Sequence, residues 1–431
     1  MKANFQLIVL ILFIAAAIFG ILVFSGAIPI GNKGSAGSQG TVVLWGTTPL
    51  ETITNPLQEF NAANPTFVVK YVQKSANTFD QDLLEALASG TGPDLFFLPD
   101  NLAFHYSNKI FTIPYTSYPL GTFKNVFAGA GEVFLTSKGI LAFPMSIDPL
   151  MMYYNRSILD ANGIVYPPST WDDLVGMAPS LTKKDDSGQL TESAVALGDF
   201  SNIVHAKDIL ATLFMQTGNP IIGENSNGAF VSTLNSQTGN YNLPPTLSFY
   251  TNFANPGSSA YSWNKSFSNS DDVFSAGSLA FYFGFASELQ NLINKNPNQN
   301  FFVAGVPQVK NGTFKLTSSE VTGLAISSFS KNFSTAFTAA SLLATGNFAS
   351  EFATATGVAP ARRDLLLAKP TDQYSPVFFS SALYARSWLD PSPTNTNSIF
   401  GGMVDNVLSG NMSVSDAIKD ADAKLGLLLL K

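Results

Sequence analysis

Apolar and polar positions alternate along this chain in two rhythms. Val42-Val43-Leu44-Trp45 is a short apolar run that reads as a buried strand. Asn55-Pro56 then supplies a helix start, with Asn as N-cap and Pro at the first helical position, and Leu57 and Phe60 follow at helical spacing. Phe67 to Val72 predicts the next strand. Phe79 to Ser89 predicts a helix with Leu83, Leu84 and Leu87 on one side and Gly90 as its C-cap. Pro93-Asp94 turns the chain into the apolar strand Leu95-Phe96-Phe97-Leu98. Strand–helix–strand–helix–strand implies right-handed crossovers and a mostly parallel sheet, hence an α/β fold.

The rhythm changes after Ala142-Phe143-Pro144. Thr170-Trp171-Asp172-Asp173 has the form of a capping box, with Leu174 facing inward and Trp171 packing at the helix start. Residues 185–257 are rich in Asn, Ser, Gly and Pro, with a helix predicted over His205–Thr217. A second predicted helix, Ser268–Ala276, leads through Gly277 into the apolar strand Leu279–Phe283. Val303–Pro307 and Gly323–Ile326 predict short strands, and Thr335–Ala344 a helix. No internal repeat at solenoid spacing is present. Two α/β bodies that alternate along one chain require the backbone to cross between them more than once.

The N-terminus follows neither rhythm. Phe5 to Phe24 is an almost unbroken apolar run, long enough at roughly 1.5 Å per residue to cross the ~30 Å hydrocarbon layer of a bilayer. Secretory signal cores are shorter, about 7–15 residues, so the run reads as an uncleaved transmembrane signal-anchor. Ser25-Gly26-Ala27 offers an alternative cleavage site. Gly31–Gly40 is a flexible Gly/Ser linker. Anchor, tether and large body together predict a body on the extracytoplasmic side.

Composition removes several functions. The 431 residues hold no cysteine, which excludes disulfides, thiolate metal sites and cysteine nucleophiles, along with the lipid-acceptor Cys of many exported proteins. Charged residues make up only 12%, and 30 acidic against 23 basic residues leave −7 with no basic stripe, so no nucleic-acid partner is expected. The two histidines, His105 and His205, lie far apart, and no nucleophile elbow, phosphate loop or dinucleotide fingerprint is present. Adjacent acids at Asp172-Asp173, Asp185-Asp186 and Asp271-Asp272 read as caps and solvated faces. No catalysis, metal or cofactor is predicted. The 36 Phe are mostly core packing. Trp45, Trp263 and Trp388 stand at strand ends or in polar stretches, and each reads equally as a ligand platform or as packing.

Nine segments in order from Val42 to the end resemble the family of extracellular solute-binding proteins that includes the maltose-binding protein and serves ABC importers. They are VVLWG, PLQEFNAANP, ALASGTGPDLFFLPD, AFPMSIDPLMMYYNRSILDANGI, PPSTWDDL, FSAGSLAFYFGF, VAGVPQV, GLAISSFSKNFSTAFTAASLL and GVAPARRDLL. The resemblance implies a two-lobed periplasmic-binding-protein-like α/β fold of type II, with three hinge crossings and a ligand clamped between the lobes. Ahead of it, the apolar run and the Gly/Ser stretch give a cytoplasmic start (1–4), the anchor (5–27) and the linker (28–40), and the resemblance covers the remainder. An N-terminal lobe (41–147 and 308–352) and a C-terminal lobe (148–307 and 353–431) follow. Hinges are expected near Ile147-Asp148-Pro149 and Val306-Pro307.

Carried over by position, the resemblance places Trp45, Thr47, Thr48, Asp100, Asn101 and Asp148 at the cleft. Phe283 and Phe285 stand where the sugar-binding relatives often have Trp, and Trp263 and Trp388 would serve the second lobe's face. The expected ligand is a sugar or oligosaccharide first and a peptide or other polar metabolite second. The expected partners are ABC permease subunits and, through the N-terminal helix, the membrane, with the body monomeric. A tethered ligand sensor for a membrane receptor and an anchored extracellular hydrolase are the alternatives.

Overall fold

The computed structural model describes residues 40–236, 243–368 and 370–430. The apolar run Phe5–Phe24 and the Gly/Ser linker lie outside the described residues. Among the described residues no helix is long and apolar enough to cross a membrane.

The first body opens with β1 (Gly40–Gly46), α1 (Leu50–Ala63), β2 (Phe67–Gln73), α2 (Phe79–Ser89), β3 (Leu95–Pro99) and α3 (Asp100–Tyr106). α1 begins before the predicted Asn55-Pro56 start and carries Pro56 inside it. Its buried residues Ile53, Leu57 and Phe60 form one stripe across the proline, and burial of that stripe outweighs the missing N–H. α2 matches its prediction, with Gly90 left-handed at φ 71° closing the helix.

β4 (Ala142–Asn155) is a strand of 14 residues, far longer than the pattern around Pro144 suggested. Beyond it come α4 (Trp171–Leu181), β5 (Leu190–Val195), α5 (Ala206–Gln216), β6 (Leu279–Phe285) and β7 (Phe301–Gly305). Thr170 caps α4 in the predicted box with Asp173, and Trp171 and Leu174 are buried. Next, β8 (Thr317–Ile326) returns toward the first body, starting well before the predicted Gly323. α6 (Phe333–Thr345) and α7 (Asn347–Thr356) pack there, followed by α8 (Ser375–Ala382), α9 (Pro393–Leu408) and α10 (Val414–Leu428).

The strands join in the order β2-β1-β3-β8-β4-β6-β5, with β7 also paired to β4. β1–β3 and β6–β5 are parallel, as the crossovers require. The sheet is nevertheless mixed, because β8 runs antiparallel to both β3 and β4, and β6 and β7 run antiparallel to β4. A strand that carries the chain out of one body and a strand that brings it back must run in opposite directions.

Two hydrophobic cores share this sheet. The first holds Leu44, Leu57, Phe96, Phe143, Ile147, Val321, Leu324, Leu343 and Phe352. The second holds Leu150, Met152, Trp171, Leu174, Leu210, Phe281, Val303, Leu316, Met403 and Leu425. Allegiance changes within β4 between Ile147 and Leu150, and at β8 between Leu316 and Val321. The strand beside Asp148 is therefore β8, while Val306 belongs to the second core. Both β4 prolines sit where the ladder tolerates them. Pro144 lies at a register shift opposite Gly323, and Pro149 lies where pairing passes from β8 to β6.

Gln216, at the end of α5, ties the segment leading into β8 to the second core. Its Oε1 accepts from Trp171 Nε1 at 2.7 Å, and its Nε2 donates to the carbonyls of Pro307 (3.1 Å) and Leu316 (2.8 Å). Gln216→Leu strands three buried polar groups and should cost about 2 kcal/mol or more, a drop of roughly 2–3 °C or more in thermal midpoint for a body of this size. An unchanged melting curve would show that these bonds do not organise the connection.

Candidate functional site

Asp148 and Glu320 stand opposite one another on β4 and β8. Directly opposed residues of an antiparallel pair present their side chains on one face, and Ser146 and Thr322 form the next pair on that face. These four residues floor a cavity of about 230 Å³. Its walls include Thr47 and Thr48 after β1, Phe97 and Pro99 of β3, Phe79 of α2, Phe352 and Thr356 of α7, and Ser287 after β6. Strand ends, where the chain turns away from the ladder, thus bring hydroxyls and backbone to the place where the two cores meet.

The electrostatics are dominated by carboxyl groups. Burial pushes the Asp148 carboxyl up to about 6, with the nearby Glu288 charge adding to it and hydrogen bonds from Ser287, including its N–H at 3.1 Å, opposing it. Glu320 keeps contact with solvent. Even so, desolvation by the cleft walls, then the charges of Asp100, Asp208 and Asp148, raise it to about 8. Asp100, buried at the start of α3, is raised to about 7 by burial, against the Ser387 hydroxyl that donates to it. Among the described residues, His205 is the cation whose charge reaches this cluster. Burial alone would lower His205, but its ion pairs with Asp208 and Glu288 override it and raise it to about 10. Its Nε2 lies 2.5 Å from Glu288 Oε1 and its Nδ1 3.8 Å from Asp208. Burial would raise Glu288, yet His205, the Tyr282 hydroxyl at 2.6 Å and the Phe285 N–H at 2.9 Å hold it below its ordinary value.

The structure brings Thr47, Thr48 and Asp148 together around this cavity. Asp100 lies beside it, within reach of Glu320's charge, and Asn101 follows half-buried, its N–H on the Asp100 carboxylate at 2.9 Å. The aromatic residues are distributed differently. Trp45 packs against the first core with the Lys74 ammonium 3.8 Å from its ring centroid, and it does not line the cavity. Trp263 has no accessible surface. It stacks on Phe267 at 4.6 Å and donates from Nε1 to Asn202 Oδ1 at 2.9 Å, so it is a core residue with no face to offer a ligand. Phe283 is likewise buried beside Trp171, and Phe285 is buried with its ring edge on His205. β6 is covered on both faces, so its side chains pack inward in either direction.

Trp388 is stacked on Phe400 and lines a different cavity of about 590 Å³, together with Gly129, Phe230, Arg386 and Leu389. The larger cavity has fewer convergent polar groups, and a ligand site is recognised by those groups more than by volume. Glu320, Ser287, Glu288, Asp208 and His205 were not legible as site residues. Glu320 alone left a trace, as the one charged residue in the segment Thr317–Ile326, and the structure leaves it the one exposed position there.

Asp100, Asp148 and Glu320 bind their protons more tightly folded than unfolded, so the native state holds extra protons between about pH 4 and pH 8. His205 extends the effect from its ordinary 6.5 to about 10. The stability these groups contribute is therefore complete at low pH and is lost as pH rises. The thermal midpoint should fall between pH 5 and pH 9, and Glu320→Gln should flatten the fall. A midpoint that climbs over that range would contradict the arrangement.

Residues 45–345 match the family described as bacterial extracellular solute-binding protein. Solved structures that share the fold include the following three. A cyclo/maltodextrin-binding protein complexed with maltotetraose is 18% identical, with 91% of this chain and 98% of that one covered at a TM-score of 0.71. The sugar-binding protein MalE of Xanthomonas citri is 17% identical, with 90% and 97% covered at a TM-score of 0.71. An ABC substrate-binding protein from Listeria monocytogenes in complex with cycloalternan is 20% identical, with 90% and 98% covered at a TM-score of 0.64. No curated protein sequence matches the chain. The mixed α/β architecture with two cores is thus the two-lobed solute-binding fold, and the chain belongs to the bacterial extracellular solute-binding protein family.

Proposed function

We propose that this protein captures a carbohydrate between its two lobes and delivers it to the permease subunits of an ABC importer, performing no chemistry on it. One observation carries the reading. At the point where the two cores exchange along β4 and β8, Asp148 and Glu320 face a cavity walled by Thr47 and Thr48 from one body and Ser287 from the other. Carboxylates and hydroxyls that converge from both sides can satisfy a polyol only when the bodies close on it, and closure follows from tighter binding to the closed form. The bound sugars of the solved relatives favour a carbohydrate ligand.

The lobes are best divided where the cores divide. The N-terminal lobe then takes back the chain at Val321 and keeps Ala359, Ala361 and Leu366, later than the boundaries 307 and 352. The apolar run Phe5–Phe24 is proposed to hold the body at the outer face of the membrane, with the linker as tether.

Asp148→Ala should weaken binding of the best sugar in a maltodextrin panel by about tenfold to a hundredfold, as the loss of a charge-assisted hydrogen bond of roughly 1.5–3 kcal/mol predicts. Titration calorimetry beside a melting curve checks this. Unchanged affinity with a lowered melting point would make Asp148 a hinge residue with no contact to ligand. Small-angle scattering at saturating sugar should show a smaller radius of gyration than the free protein. Identical profiles would argue against closure.

A further inference from the structure

The chain contains five Asn-x-Ser/Thr tripeptides, at Asn155, Asn264, Asn311, Asn332 and Asn411. A sequence this rich in Asn, Ser and Thr produces such tripeptides by chance, so their number carries nothing. Their placement does. Asn155 is buried, with Nδ2 toward the Gly277 carbonyl and Oδ1 capping the following helix. Asn264 donates from Nδ2 to the Tyr261 hydroxyl at 2.7 Å, and its Oδ1 accepts from Ser266. Asn332 is exposed, but its Nδ2 donates to the Thr41 carbonyl at 3.2 Å.

Asn311 and Asn411 differ from these three. Both are exposed and sit in turns, and no described side-chain hydrogen bond holds either amide. Asn311 is at the tip of the turn between β7 and β8, in the left-handed region at φ 57°. Left-handed backbone at a loop tip lifts the side chain clear of any regular ladder. Beside it, Val309 and Phe314 are 45% and 50% exposed, an apolar surface that a carbohydrate chain would screen from water. Asn411 follows Gly410 in the turn between α9 and α10 and opens onto a polar groove of about 950 Å³ lined with Asn252, Asn255 and Asn406.

We propose that Asn311 and Asn411 are acceptor sites for N-linked oligosaccharide. The step is a group transfer from a lipid-diphosphate-linked oligosaccharide. The amide Nδ2 bonds to C1 of the first sugar as the C1–O bond to the diphosphate breaks. The lipid diphosphate leaves with the electron pair, and the amide proton passes to a base. The proposal rests on the extracytoplasmic placement of the body, where such a donor is used, and is independent of what the cleft binds.

The test is peptide mass spectrometry on the full-length protein isolated from its own cells. Intact cells are labelled in parallel with a membrane-impermeant amine reagent directed at exposed lysines such as Lys310 and Lys315. Peptides with Asn311 and Asn411 should carry hexose or N-acetylhexosamine mass, and those with Asn155 and Asn264 should not. Thr313→Ala should remove the first increment without disturbing the Asn311 backbone, and Asn411→Gln the second. Bare Asn311 and Asn411 on a chain whose lysines are labelled overturn the acceptor assignment alone. Bare sites on an unlabelled chain overturn it together with the extracytoplasmic reading. Glycan at buried Asn155 would show that folded-state accessibility does not select the sites.

Discussion

The antiparallel pairing of β4 with β8 is the constraint on which the remaining structure depends. β4 is the only strand of the described residues that carries buried side chains of both cores along its length, and β8 returns alongside its first half. Because the side-chain period of a strand is two, this one register decides at once which residues enter the cores and which face the cleft. Ile147 and Val321 pair on the core side, and Asp148 and Glu320 on the cleft side. A slip of one residue would bury two carboxyl groups without partners and expose the apolar pair. The register shift at Thr322/Gly323 is where this requirement is reconciled with Pro144, which cannot donate to a ladder.

That same pairing sets an electrostatic problem. Two carboxyl groups held side by side between protein walls, with Asp100 and Asp208 near them, cannot all ionise cheaply, so their protons are held to higher pH. His205 offsets part of the charge, but it is itself held between Glu288 and Asp208. The floor of the cleft is therefore rich in groups that accept or donate hydrogen bonds according to pH, and poor in fixed positive charge. Such a surface suits a neutral polyol, whose hydroxyls can serve either role, better than an anion.

Aromatic residues show how tertiary packing redistributes what a sequence offers. Trp263 occurs in a polar stretch, Tyr-Ser-Trp-Asn-Lys, which is compatible with an exposed platform. In the fold the turn wraps it into the second core, where Phe267 and Asn202 satisfy both its face and its N–H. Phe97 and Phe352, never singled out by position, instead wall the cavity and stack on each other at 4.8 Å. Burying a Trp with its one donor satisfied stabilises the lobe, and nothing in the local sequence competes with that gain.

Local signals alone determined much of this protein. The capping box at Thr170, the Gly90 stop, the apolar strands and the ordered family segments rest on interactions within a few residues, which a linear reading captures. Asp148 and the threonines after β1 were singled out only through the family resemblance, since Asp148 lies in the middle of β4 and no local pattern marks it. Only the tertiary structure decided that β4 would run through both cores and that Glu320 would lie opposite Asp148. It likewise decided that His205 would meet Glu288 and Asp208, and that Trp263 would be sealed away. These outcomes depend on register and burial between segments more than 60 residues apart in every case but the Asp208 contact and the Phe267 stack, and no local pattern encodes the energy of a contact whose partner is that distant.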